Sequence, residues 1–205
     1  VNAATLEYCV EPKFDGASIS LIYENDFLVR AATRGDGTSG EEITNNVKQI
    51  KSIPLSAKFS DYGIDKIEVR GEILMTKKSF KKYNEFLAEQ NITPLANPRS
   101  AASGSLRMKD PKVVRQRNLE AILYNISFVN TVKNNTKANG LDTHSNILEA
   151  LWALGFKSPY PDKKIITGIE GVIAFCKEYE VNRDNLHYEI EGRVIKGKGI
   201  EYKQS

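Results

Sequence analysis

Glu11-Pro12-Lys13-Phe14-Asp15-Gly16 stands between Leu6-Glu7-Tyr8-Cys9-Val10 and Ala17-Ser18-Ile19-Ser20-Leu21-Ile22-Tyr23. Both flanks are rich in apolar, β-branched and aromatic residues, so the hexapeptide joins two strands. Side chains alternate across a strand, which places Glu11, Lys13 and Asp15 on one face and Val10 and Phe14 on the other. Gly16 turns the chain. Acid, base, acid along one face has two meanings. It is a solvated face before a tight turn, or it is a lysine held between carboxylates as a nucleophile or phosphate ligand. These residues alone do not separate the two.

The second strand continues into a hairpin. Glu24-Asn25-Asp26 supplies the turn, and Phe27 to Arg34 returns. Gly35-Asp36-Gly37-Thr38-Ser39-Gly40 then has loop chemistry, and Ser39 with Glu42 forms a capping-box pattern that predicts a helix over 40–51. Ile43, Val47 and Ile50 give it an apolar stripe. Backbone N–H groups of a glycine-rich loop opening a helix can cradle phosphate, but the spacing matches neither the P-loop nor the dinucleotide fingerprint.

Lys66 to Met75 reads as a strand that puts Glu68, Arg70 and Glu72 on one face. Thr76 caps a predicted helix over 77–90, with Phe80, Tyr83 and Leu87 inward. Asn97 to Arg107 is a short helix of small residues, with Arg99 and Arg107 near the same side. Leu119 to Val129 is a strand, and Asn130 to Gly140 a polar loop. Thr143 opens a helix carrying Ile147, Leu148, Leu151 and Leu154, which Gly155 ends. His144 and Trp152 on that helix read as packing or surface residues. A second capping-box pattern, Thr167 to Glu170, predicts a helix to about 180, with Arg183 in the turn after it. The last strand, 187–196, carries Glu189, Glu191, Arg193 and Lys196. Hairpins mixed with helices predict an α+β fold rather than a doubly wound parallel sheet.

The chain has 205 residues, 40% of them hydrophobic, and a formal charge of +3, enough for one large domain and mildly suited to phosphates. Cys9 and Cys176 match no metal spacing and read as buried free thiols in a reducing compartment. No apolar run approaches a membrane span and no signal-peptide pattern opens the chain, so a soluble cytoplasmic protein is expected. The sequence starts at Val1 within a strand lead, and a fragment of a longer protein is expected.

Five blocks together resemble the nucleotidyltransferase core of bacterial NAD+-dependent DNA ligases. They are Glu11 to Gly16, Thr33 to Glu41, Val69-Arg70-Gly71-Glu72, Ala96-Asn97-Pro98-Arg99 to Leu106-Arg107, and Tyr188 to Lys196. The second and fourth are characteristic of the NAD+-dependent branch. The resemblance implies an ATP-grasp-like covalent nucleotidyltransferase of mostly antiparallel sheets flanked by helices, spanning 1–205. It implies that the N-terminal NMN-binding subdomain and the C-terminal OB-fold, zinc-finger, helix-hairpin-helix and BRCT modules lie outside this chain, and that the isolated fragment does not seal nicks.

The resemblance also implies roles. Lys13 is the nucleophile that takes AMP from NAD+, and Lys196 is a second lysine beside the α-phosphate. Glu11 reads the adenine amino group, Tyr124 stacks on adenine, Asp15 and Glu72 hold the ribose or organise metal near it, and Gly16 is a further nucleotide-binding residue. Arg34, Arg99, Arg107 and Arg183 surround the nucleotide or DNA phosphates. Mg2+ is organised by Glu72 and Glu191, nicked double-stranded DNA is the partner, and the protein is a monomer without membrane contact. A free lysine has a pKa of about 10.4, so presenting it neutral at pH 7 costs about 4–5 kcal/mol. Neighbouring cations lower that cost, whereas Glu11 and Asp15 raise it unless they are occupied.

The sequence departs from the family in two places. Glu191-Gly192-Arg193 stands where the family has Asp-Gly-Val, which lengthens the acid by one methylene and adds a cation. Lys203 only loosely matches a further phosphate-contacting lysine. Two other readings share part of the pattern: an ATP-dependent polynucleotide ligase or capping-type nucleotidyltransferase, and a degenerate nucleotide-binding module without catalysis.

Overall fold

The computed structural model describes residues 5–34, 40–131, 140–182 and 187–197. All strand pairs among the described residues are antiparallel, and they form two sheets. The first has the order β6-β1-β7, built from β6 (Lys164–Thr167), β1 (Glu7–Phe14) and β7 (Ile190–Gly197). The second has the order β3-β2-β4-β5, from β3 (Phe27–Thr33), β2 (Ala17–Glu24), β4 (Ile64–Leu74) and β5 (Glu120–Thr131). The α+β expectation holds.

β2 shows why the larger sheet has two distinct faces. Ile19, Leu21 and Tyr23 are buried, whereas Ser18, Ser20 and Ile22 alternate with them on the opposite face. On the core side, Tyr23 packs edge-on against Phe59 and Phe156, and its hydroxyl donates to Pro54 O at 2.5 Å. Ile67 and Val69 of β4 and Leu123 of β5 continue that core. The opposite face carries Glu68, Arg70, Glu72 and Tyr124, and this is the face on which the site is built.

Gly71 allows β5 to come close. A Cβ there would lie 2.1 Å from the Ile122 carbonyl oxygen, so only glycine fits without moving β5. The β4–β5 register also shifts between Arg70 and Gly71. At Gly16 a Cβ would meet Ile73 O at 2.5 Å, which packs the turn after β1 against the end of β4 and brings the two sheets together. Phe14 and Tyr188 make a second link, with ring centroids 5.9 Å apart. The Tyr188 hydroxyl donates to the Glu120 carboxylate on β5, which also accepts from Lys157 Nζ at 2.6 Å.

Several local expectations hold. Asn25 and Asp26, at φ 47° and 71°, form the hairpin turn. Thr76 caps α2 (Lys77–Glu89) by accepting from Ser79 N, and Asn97 caps α3 (Pro98–Leu106) by accepting from Ser100 N. Thr143 caps α5 (His144–Ala153) in the same way from Asn146 N. α4 (Pro111–Gln116) lies between α3 and β5.

Others are corrected. The helix expected over 40–51 is a single turn, α1 (Thr44–Val47). Glu42 pairs with Ala32 as an isolated β-bridge, and Thr44 Oγ1 accepts from Ala31 N, so β3 holds the segment that a helix would need. Ser39, the expected cap, lies with Gly35 to Thr38 outside the described residues. Asn130 and Thr131 belong to β5 rather than to the loop after it. Thr167 ends β6 rather than capping a helix. The chain turns at Gly168, φ 77°, and α6 (Ile169–Asn182) starts there, with Val172 N donating to Gly168 O.

Candidate functional site

The charged row on β1 is not a solvated face. Glu11 is buried, with its side chain 3% exposed, while Lys13 is 55% exposed. The difference follows from pairing. β1 is the central strand of its sheet, and Glu11 lies opposite Val194 of β7. Toward the end of β1 the ladder slips: Lys13 pairs with Gly192, but Phe14 pairs with Ile190. Glu191 is the extra residue at this bulge, and bulges re-aim side chains. Glu191 Oε2 lies 2.6 Å from Lys13 Nζ. Its Oε1 accepts from Arg99 Nη1 at 3.1 Å, and the same nitrogen donates to Asp15 Oδ1 at 3.1 Å. The Lys13 ammonium holds the Glu191 carboxyl below its ordinary range through the hydrogen bond and its charge, and Arg99 adds to this.

Arg193, the cation added beside Glu191 in the sequence, reaches α6. Its guanidinium lies over the Phe175 ring of α6, 5.3 Å from the centroid. The cation of that departure from the family pattern therefore packs against a helix.

Glu72 faces the β1 group from the larger sheet. Its Oε1 accepts from Ser18 Oγ at 2.7 Å and from Tyr124 OH at 2.9 Å. Burial raises its pKa, and the two hydrogen bonds with the Arg99 and Arg34 charges oppose that rise only in part. Burial also pushes the Tyr124 phenol up, and the nearby Glu72 and Glu11 carboxylates push it further. Glu11, Arg34, Glu72, Arg99 and Tyr124 thus feel one another across the gap between the sheets. Beside them a cavity of about 380 Å³ is lined by Ser18, Ser20, Arg34, Glu68, Arg70 and Tyr124. Glu68 there accepts from Ser20 at 2.5 Å and from Ser127 and Arg70, which keep its carboxyl low against the opposing effect of burial.

A third group lies beneath. His144 Nε2 is 2.8 Å from Glu11 Oε2, and Lys196 Nζ is 3.3 Å from both ring nitrogens. Lys196 Nζ is also 3.9 Å from Glu11 Oε1. Desolvation lowers the Lys196 pKa, and the Glu11 charge works against that. Cys9, Glu11 and His144 each offer one donor atom within 4.8 Å of the others. The Lys196 cation lies against two of these residues, and burial with the Glu11 charge keeps the Cys9 thiol protonated to higher pH than usual. This set does not suit Mg2+, which takes oxygen donors. The Asp15 and Glu191 oxygens that converge on one Arg99 nitrogen do suit it.

The expected site residues divide clearly. Glu11, Lys13, Asp15, Glu72, Arg99, Tyr124, Glu191 and Lys196 meet where the two sheets face each other, and Arg34 lies at their edge. Gly16 makes the turn between the sheets. Arg107 is separate from Arg99 and pairs with Glu41 at 2.7 Å. Arg183 and Lys203 lie outside the described residues. Glu72 and Glu191 are engaged by different partners. His144 was missed, since only its place at the first turn of an apolar helix was visible.

The ligase domain of LigD from M. tuberculosis superposes with a TM-score of 0.52 at 16% identity, over 98% of this chain and 54% of that one, which shows the fold. The curated DNA ligase of Sulfurihydrogenibium sp. (strain YO3AOP1) is 56% identical over 195 residues, 95% of this chain and 28% of that protein. The DNA ligase of Aquifex aeolicus (strain VF5) is 52% identical over 191 residues, 93% of this chain and 26% of that protein. The chain therefore spans just over a quarter of the length of these relatives. The family described as NAD-dependent DNA ligase adenylation domain matches residues 1–205, and neither the ATP-dependent nor the degenerate reading is favoured beside it. The chain belongs to the NAD-dependent DNA ligase adenylation domain family.

Proposed function

We propose that Lys13 is the residue that takes AMP from NAD+. Its Nζ attacks the α-phosphorus, the new N–P bond forms as the P–O bond to nicotinamide mononucleotide breaks, and the amine proton leaves to solvent. The observation that carries this reading is the convergence of Lys13, Asp15, Arg99 and Glu191 at the end of β1, within a family defined by adenylation. Glu11 and Tyr124 take the adenine, Glu72 the ribose, and Arg34 and Lys196 the phosphate side.

In the state described, Lys13 is an ammonium paired with Glu191, and an ammonium has no lone pair to attack with. The NAD+ phosphates would draw the Arg99 guanidinium toward themselves and push the Glu191 carboxylate off Lys13 by like-charge repulsion before reaction. Asp15 and Glu191 would hold Mg2+, which supplies positive charge to the α-phosphate oxygens. Lys196 and Arg99 stabilise the charge that spreads over those oxygens in the transition state. AMP then passes to the 5'-phosphate of nicked duplex DNA, in replication and repair within the bacterial cytoplasm, and the protein acts as a monomer. No helix of the described residues is long and apolar enough to cross a membrane.

Incubation with NAD+ labelled at the α-phosphate, followed by denaturing electrophoresis, tests the reading. The wild type gains a covalent AMP label that Lys13→Ala lacks, and labelled ATP gives none. Labelling of Lys13→Ala at the wild-type level would overturn it.

A further inference from the structure

Three chain segments far apart in sequence meet at His144. Glu11 comes from the middle of β1, His144 is the first residue of α5, and Lys196 is near the end of β7. The Glu11 and His144 side chains are 3% and 5% exposed. Glu11 accepts the Nε2 proton at 2.8 Å, and the Lys196 ammonium lies 3.3 Å from Nδ1 and from Nε2 alike, over the ring rather than in line with one lone pair. The imidazole therefore gives a proton to the acid and lies with its ring against the base. Thr143 fixes the ring's backbone by capping the helix at the preceding residue.

The physical need for this bridge lies in the Lys196–Glu11 distance of 3.9 Å. Opposite charges that close, with the carboxylate buried and the ammonium half-buried, attract strongly. Left alone they would close into a direct pair, in which the ammonium could not serve a phosphate and the carboxylate could not serve a base. We propose that His144 is a positioning residue that holds the Glu11 carboxylate through Nε2 and the Lys196 ammonium against its ring, and so keeps the two from closing into a contact pair, each free to turn its remaining capacity toward the nucleotide. This rests on the reading of Lys13 as the AMP-accepting lysine.

The test uses the protein as its gene encodes it, with single-turnover formation of the AMP adduct from saturating labelled NAD+. His144→Leu removes both polar atoms, whereas His144→Gln offers an amide N–H and an amide oxygen at similar spacing. The Leu variant is expected to slow adduct formation by roughly 10–100-fold, the range for loss of a group that orients a site residue, and Gln to recover most of the rate. Thermal unfolding confirms that each variant is folded, and His144→Asn takes the place of Leu if the Leu protein is not. A Leu variant that labels at the wild-type rate, or a Gln variant as slow as Leu, overturns the positioning role. Lys13→Ala is run alongside. If it is labelled, the reading of Lys13 fails as well. If it stays unlabelled while His144→Leu labels normally, only the positioning role fails.

Discussion

Glu191 Oε2 lies 2.6 Å from Lys13 Nζ because a bulge in the β1–β7 ladder swings Glu191 out of register. The Lys13 charge holds the Glu191 carboxyl below its ordinary value of 4.5. A depressed carboxylate keeps its charge as pH falls through the ordinary range and loses it, with the ion pair, only below its own folded value. The carboxyl carbon shift of Glu191 should therefore titrate with a midpoint below 4.5. In Lys13→Ala the midpoint should move up toward that value. An unchanged midpoint in the variant would show that the pair is not the cause.

Glu72 behaves in the opposite sense. Burial raises its folded-state pKa above the ordinary 4.5. Its ionised form is thus a burden on the fold at neutral pH, and the burden is relieved as pH falls through the raised value toward 4.5 and below. Glu72→Gln should be at least as stable as the wild type at pH 7, with the difference closing in acid. The same change should slow AMP-lysine formation by about 100-fold, because a neutral amide does not hold the ribose side as a carboxylate does. Denaturant melts at several pH values check the first half, and single-turnover labelling the second.

In the proposed function Tyr124 offers a ring to the nucleotide, and its hydroxyl donates to Glu72, so the two are separable. Tyr124→Phe removes the 2.9 Å donor to a buried carboxylate and should cost about 1–2 kcal/mol of stability. It keeps the aromatic face, so AMP binding should persist. Tyr124→Ala should lose that binding as well. Calorimetric titration with AMP distinguishes them.

Gly71→Ala places a methyl 2.1 Å from the Ile122 carbonyl oxygen in the middle of the β4–β5 ladder. The backbone of β5 must move, which should cost about 3 kcal/mol. A urea midpoint within error of the wild type would show that β5 gives way freely.

Local chemistry was the part of this fold legible in the sequence. The turn at Asn25-Asp26 and the caps at Thr76 and Thr143 lie beside the elements they shape. The same pattern misled at Thr167. A threonine three residues before Glu170 looks like a cap, yet Thr167 is drawn into a strand by Glu7, its partner at the other end of the chain. β6 is only four residues long and has no periodicity to read. Long-range pairing also hid His144, since nothing near it in sequence announces Glu11 or Lys196. The charged row at Glu11, Lys13 and Asp15 was visible from the start, but its meaning depended on which strands flank it.

The pairing of β1 with β7 sets a schedule for synthesis. β1 is made early and β7 near the end of the described chain, so one flank of β1 has no partner until almost the whole domain exists. Contacts that join such distant segments form late and slowly. Until they form, Lys13 lacks Glu191 beside it, and Glu11 has neither His144 nor Lys196. A chain cut short before β7 therefore carries Lys13 without Glu191 and Glu11 without Lys196.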